Sequence, residues 1–115
     1  MADNMVMEEL EANAAKASAL LKSMANESRL MILCQLSQGD MTVGQLQAVI
    51  PLSQSALSQH LATLRREGLV RTRRNAQFIT YTLDSDEART IIEALYGLFA
   101  GGDNCEIAPA IEASA

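Results

Sequence analysis

A chain of 115 residues with 49% hydrophobic side chains can bury one modest core, which leaves no room for a separate catalytic domain. Nine Lys plus Arg against fourteen Asp plus Glu give a net charge of −5, which taken over the whole chain argues against a nucleic-acid partner. The acidic start Met1-Ala2-Asp3-Asn4 and the shortness of the longest aliphatic run, Leu30 to Cys34, point away from a signal peptide and a membrane span, so a cytoplasmic protein with no membrane partner is expected.

From the N-terminus, Met7, Leu10, Ala14, Ala17, Leu21 and Met24 recur at spacings of three and four, a heptad-type seam on a helix of four to five turns. Such a seam calls for another helix against it. A second helix carries Leu30, Leu33 and Leu36 together with Cys34. Thr42 with Gln45 three residues later is a capping-box signature, and the helix it opens is stopped at Ile50 by Pro51.

The stretch from Ser53 to Val70 then sorts by helical angle into two faces. Ala56, Leu57, Leu61 and Leu64 share one arc, with His60 beside them; Gln54, Ser55, Ser58, Gln59 and Ala62 fall on the other. The outer arc is an uncharged row of short hydrogen-bonding side chains that ends in Arg65 and Arg66. Gln bonds bidentately to an adenine edge, Ser bonds base or phosphate, and the lack of charge in the middle of the row lets it approach a groove floor. The two arginines then suit the phosphates.

Leu69 to Arg74 and Gln77 to Leu83 read as two strands, the second alternating Ile79, Tyr81 and Leu83 against Phe78, Thr80 and Thr82, with Asn75-Ala76 between them as the turn. Arg73 and Arg74 stand at the tip. A short helix, a tight turn, a second helix and a two-stranded wing describe a winged helix-turn-helix, mainly α with a two-stranded β-wing. Read locally, the charge agrees with that fold: residues 65–74 hold five arginines against Glu67, a basic edge on an acidic body. The bland reading of these arginines is a solvated hairpin face.

Asp84 with Glu87 reads as a second capping box, followed by the apolar stripe Ile91, Ile92, Leu95, Leu98 and Phe99 up to Gly101-Gly102. Two apolar terminal helices on one small domain suggest a homodimer, although any globular helix shows a stripe toward its own core. The domain is expected to span 1–103. A flexible tail, 104–115, Ala-rich from Ala108 and carrying Cys105, follows it.

The segments Met24 to Leu33, Leu52 to Leu61 and Leu64 to Val70 together resemble the ArsR family of bacterial winged-helix repressors, in the family's order and spacing from about residue 10 to residue 100. The resemblance implies a dimeric helical body with a β-wing that binds double-stranded operator DNA and releases it when an inducer binds. Gln54, Ser55, Ser58, Gln59, Arg65, Arg66, Arg73 and Arg74 are the candidate DNA-binding residues. The inducer does not follow from the fold.

A closed zinc site wants four ligands from Cys, His, Asp or Glu, and the chain has one His and two Cys. Thr42-Val43-Gly44-Gln45 stands where arsenic and cadmium sensors of the family carry a cysteine pair, and the last helix lacks the His of the zinc sensors. No metal or other cofactor is therefore expected. His60 reads as a packed or backbone-bonded imidazole, with a DNA contact as the alternative.

Taken alone, Cys34 and Cys105 read as a small buried hydrophobe and an incidental tail thiol. The resemblance says more. One cysteine in the second helix and one just beyond the last are similar to the family's dithiol subgroup, typified by the SqrR, BigR and HlyU regulators. It implies that Cys34 and Cys105 are a redox-sensing pair whose inducer is a persulfide or related reactive sulfur species. Cys34 is the first nucleophile only where its helix leaves the sulfur accessible, and Asp103 and Glu106 disfavour the Cys105 thiolate. An enzyme is not expected, because the chain has no C-x-x-C and no nucleotide loop. A repressor responding to a metal or another ligand, and a winged-helix module that binds protein without a thiol switch, are the other readings.

Overall fold

The computed structural model describes residues 3–100. The element order is α1 (Asp3–Met24), α2 (Glu27–Gln38), β1 (Met41–Thr42), α3 (Val43–Val49), α4 (Gln54–Arg66), β2 (Val70–Asn75), β3 (Phe78–Leu83) and α5 (Asp86–Ala100). The expected winged helix-turn-helix is present. Its wing carries an addition that periodicity did not show: β1, two residues long, pairs with β3, so the antiparallel sheet has the order β1-β3-β2. A two-residue strand is too short to leave an alternating pattern, and only the docking of β3 makes it one.

Local chemistry starts and stops each helix. The corner between α1 and α2 is closed twice, since Asn26 accepts the Arg29 N–H at 3.0 Å while the Arg29 guanidinium reaches back to the carbonyls of Ser23 (2.7 Å) and Lys22 (3.3 Å). A cation on the last carbonyls of α1 satisfies acceptors that the helix itself leaves open. At α3 the capping box forms as expected: Thr42 Oγ1 accepts from the Gln45 N–H at 3.2 Å, and Gln45 Oε1 accepts from the Thr42 N–H at 2.9 Å. The C-terminal cap is Ile50, directly before Pro51.

Two local readings are corrected. The cap of α5 is Ser85, whose Oγ accepts the Ala88 N–H at 3.0 Å, and not Asp84. The Asp84 N–H donates to the Leu69 carbonyl at 2.8 Å and its carboxylate accepts from Arg71, which leaves it at the end of the sheet. The wing turn also sits one residue later than Asn75-Ala76. Asn75 pairs with Phe78, and the left-handed conformation falls on Ala76, at φ 60°.

The core gathers Ile32, Leu33 and Leu36 of α2, Leu57, Leu61 and Leu64 of α4, and, among others, Val70, Leu83 and Ile92 from the sheet and α5. By contrast α1 is exposed along residues 6–19 and buries only its C-terminal end, at Ser23 and Met24. It runs for 22 residues, about six turns, one or two more than the apolar seam suggests. Residues 101–115 lie outside the described part, so the Gly101-Gly102 stop and the tail expected at 104–115 belong to that region.

The passage from α4 into the wing is a Schellman closure. The Leu69 N–H bonds the Leu64 carbonyl at 2.9 Å, the Gly68 N–H bonds the Arg65 carbonyl at 3.1 Å, and Leu64 and Leu69 are both buried. Gly68 has φ 82°, where a Cβ is strained although nothing crowds it. Gly68→Ala is expected to cost about 1 kcal/mol of stability. Urea unfolding of the two proteins checks this, and Gly68→Asn should recover part of the loss because Asn tolerates that conformation.

Candidate nucleic-acid interface

Ser53 fixes the start of α4, its Oγ accepting the Ala56 N–H at 3.1 Å. From there the helix is sorted as its sequence implies: Leu57, Leu61 and Leu64 are buried, and Gln54, Ser55, Ser58, Gln59 and Ala62 are all exposed. The outer row lies at the N-terminal and middle turns, with only Ser55 engaged, its Oγ 3.4 Å from Ser53 Oγ. Its hydrogen-bonding groups face solvent and are open to a partner. His60 lies half-buried on the flank of the inner face and makes no hydrogen bond among the described residues, so the expected backbone bond is not formed.

Positive charge frames this row. Arg65 and Arg66 are exposed in the last turn of α4, where Arg66 Nη2 donates to Thr63 Oγ1 at 3.4 Å. In the wing Arg73 and Arg74 are exposed as well, but they differ in company. Arg73 Nη2 is 3.6 Å from Asp40 Oδ2, and Arg71, a residue outside the candidate set, holds Asp84 at 2.8 Å. Among the described residues Arg65, Arg66 and Arg74 have no acidic partner.

The wing tip adds something the sequence reading passed over. Phe78 is 58% exposed and Ile79 is exposed beside it, directly across the hairpin from Asn75 and Arg74. The signal was present in the sequence, since a tip that only met water would favour polar residues at those two positions. Reading the run purely as an alternating strand hid it.

The thiol end of the candidate site is a different environment. Cys34 is 0% exposed, on α2, which packs against both α5 and α4. Its carbonyl accepts from Ser37 Oγ at 2.6 Å and from the Tyr96 hydroxyl at 3.3 Å, and that hydroxyl accepts from Gln38 Nε2 at 3.0 Å. Arg89 Nη1 reaches the Ser37 carbonyl at 3.4 Å, so α5 grips the same turn of α2 from two of its own turns. The accessibility on which a nucleophilic Cys34 depends is thus absent in this conformation. Cys105 lies outside the described residues. Among the described residues no three of His, Cys, Asp and Glu are grouped to hold a metal ion, and no helix is long and apolar enough to cross a membrane.

A family model described as bacterial regulatory protein, arsR family, matches residues 26–72, which run from the cap of α2 into β2. The chain is 56% identical over 95 residues to the transcriptional activator HlyU of Vibrio cholerae serotype O1, covering 83% of this chain and 88% of that protein. It is 46% identical over 90 residues to the biofilm growth-associated repressor of Agrobacterium fabrum, covering 78% and 77%. A solved structure of reduced HlyU from Vibrio cholerae N16961 superposes with a TM-score of 0.76 at 56% identity, covering 80% of this chain and 97% of the other.

Proposed function

The chain belongs to the arsR family of bacterial regulatory proteins and is a sequence-specific DNA-binding transcriptional regulator, and we propose that it works as a cytoplasmic, homodimeric repressor whose operator affinity is switched by reactive sulfur at Cys34 and Cys105. The observation that carries the DNA reading is the exposed, uncharged row Gln54, Ser55, Ser58 and Gln59 on α4, framed by Arg65, Arg66 and the wing arginines. Each recognition helix takes one major groove, and two grooves one helical turn apart, about 34–36 Å, define an inverted repeat. Replacing Gln54 or Ser58 by Ala is expected to cost roughly 1–3 kcal/mol on the operator and little on random duplex. Fluorescence anisotropy on both DNAs checks it, and equal losses would remove these residues from base reading.

The dimer reading is supported by unburied apolar surface at both ends of the fold. Val6, Met7, Leu10 and Leu21 on α1 and Leu98 and Phe99 on α5 are exposed, Leu98 by 72%. Full burial of side chains of this size contributes about 1.5–3 kcal/mol each, which a second copy supplies and water does not. Leu10→Glu or Leu98→Glu should shift sedimentation at micromolar concentration from dimer toward monomer. A wild-type protein that sediments as a monomer there would sink the dimer.

The switch is supported by the way α5 clasps the turn of α2 around Cys34, and by the nearness in sequence of Cys105 to α5. From Ala100 to Cys105 the chain spans at most about 18 Å. The Cys34 thiolate takes the outer sulfur of a small-molecule persulfide, the parent thiol leaves, and Cys34 becomes a persulfide. Cys105 then displaces hydrogen sulfide from it to give a disulfide, or, once it is itself a persulfide, condenses with it to a trisulfide and hydrogen sulfide. Extra bridging sulfurs widen the gap that a bridge can close beyond the roughly 7 Å Cα limit of a disulfide. A fully buried Cys34 reacts only through a local opening of the fold, and because the Tyr96 hydroxyl of α5 bonds the Cys34 carbonyl, that opening is coupled to the position of α5. Strain passed to the body of the dimer changes the spacing of the two α4 helices, and a shift of a few kcal/mol vacates the operator.

Cys34→Ser and Cys105→Ser should each bind operator under reducing conditions and fail to release it with persulfide. Mass spectrometry of treated wild-type protein should show an intramolecular adduct between the two peptides, with peroxide much less effective. Release of the double Cys-to-Ser protein by persulfide, or of the wild type by zinc, would overturn the switch and leave the DNA reading standing.

A further inference from the structure

The wing arginines are sorted by strand alternation. Arg71 and Arg73 stand opposite Thr82 and Thr80 and share one face of β2, whereas Arg74, opposite Ile79, lies on the other. Both arginines on the first face carry an acidic partner from outside the wing hairpin's strands, Asp84 for Arg71 and Asp40 for Arg73. The second pairing crosses the sheet. Thr42 of β1, Thr80 of β3 and Arg73 of β2 form one row, and Asp40, two residues before Thr42, extends the same face of β1. The Arg73 side chain therefore spans β3 to meet Asp40. Both side chains keep most or a good part of their exposure, 61% and 37%, so the pair is open to water and exchanges readily.

A carboxylate placed before an exposed guanidinium offers it what a DNA phosphate offers, an anion with oxygens to accept its N–H groups. We propose that Asp40 is an internal competitor for phosphate, a positioning residue that holds Arg73 out of sequence-independent DNA contact. Binding to random duplex rests almost wholly on phosphate contacts, so one cation occupied in each subunit weakens it directly, while the base-reading row on α4 is untouched. The short β1 has a role in this arrangement, because pairing with β3 is what brings Asp40 within reach of β2. The proposal rests on the DNA-binding reading.

The test is the salt dependence of binding to random duplex and to operator by Asp40→Asn, Arg73→Ala and the double variant, with thermal unfolding measured alongside. Asp40→Asn is expected to bind random duplex several-fold more tightly, with the slope of log K against log salt steeper by about one unit per subunit. In the Arg73→Ala background the same substitution should leave the slope unchanged, and Asp40→Glu should match the wild type. Arg74→Ala, which removes a cation without an acidic partner among the described residues, should flatten the slope by about one unit per subunit, and Arg73→Ala by less. An unchanged slope in Asp40→Asn, an equal gain with and without Arg73, or a fall in affinity that follows a fall in unfolding temperature would each overturn the proposal. A wild-type protein that binds neither duplex at low salt would instead overturn the DNA-binding reading.

Discussion

The burial of Leu57, Leu61 and Leu64 against α2 sets the rotation of α4 about its own axis, and the outward chemistry follows from that one constraint. Each buried leucine contributes about 1.5–3 kcal/mol, so turning the helix far enough to present another face forfeits several kcal/mol. That is a large part of the net stability of a domain of this size. Among the described residues the side chains of the row Gln54, Ser55, Ser58 and Gln59 make no hydrogen bond beyond the loose Ser55–Ser53 approach. It is displayed because its opposite face is anchored.

The same anchor carries over to the wing. The closure at Gly68 joins the last turn of α4 to Leu69 and Val70, both buried, so the strand leaving the helix has a fixed direction before the hairpin begins. The helix row, the arginines of its last turn and the wing arginines are thus carried by consecutive elements whose junction is fixed. The net charge of −5 describes none of it, since the cations are concentrated in residues 65–74 and two of them already face carboxylates.

The turn of α2 that carries the buried Cys34 is held by the last helix. Tyr96, Arg89 and Ser37 meet around the carbonyls of a single turn of α2. Cys34 shares its helix with Ile32, Leu33 and Leu36, which pack in the same core as the inner face of α4. The helix that carries Cys34 thus packs against both α5 and α4.

The sequence by itself determined the elements whose cause is local. The two faces of α4, the capping box at Thr42 and Gln45, the stop at Pro51 and the alternation of β3 rest on helical period, side-chain bonds three residues apart and strand pleat, all legible along the chain. The tertiary structure alone decided which charges are engaged, because Asp40 reaches Arg73 only across a sheet row and Asp84 serves Arg71 instead of capping α5. It also decided that β1 is a strand, that the turn's left-handed residue is Ala76, and that Cys34 has no exposure. Each of these depends on residues distant in the chain coming together or on the exact register of a hairpin, and a one-residue shift in register, invisible to composition and periodicity, reassigns every partner.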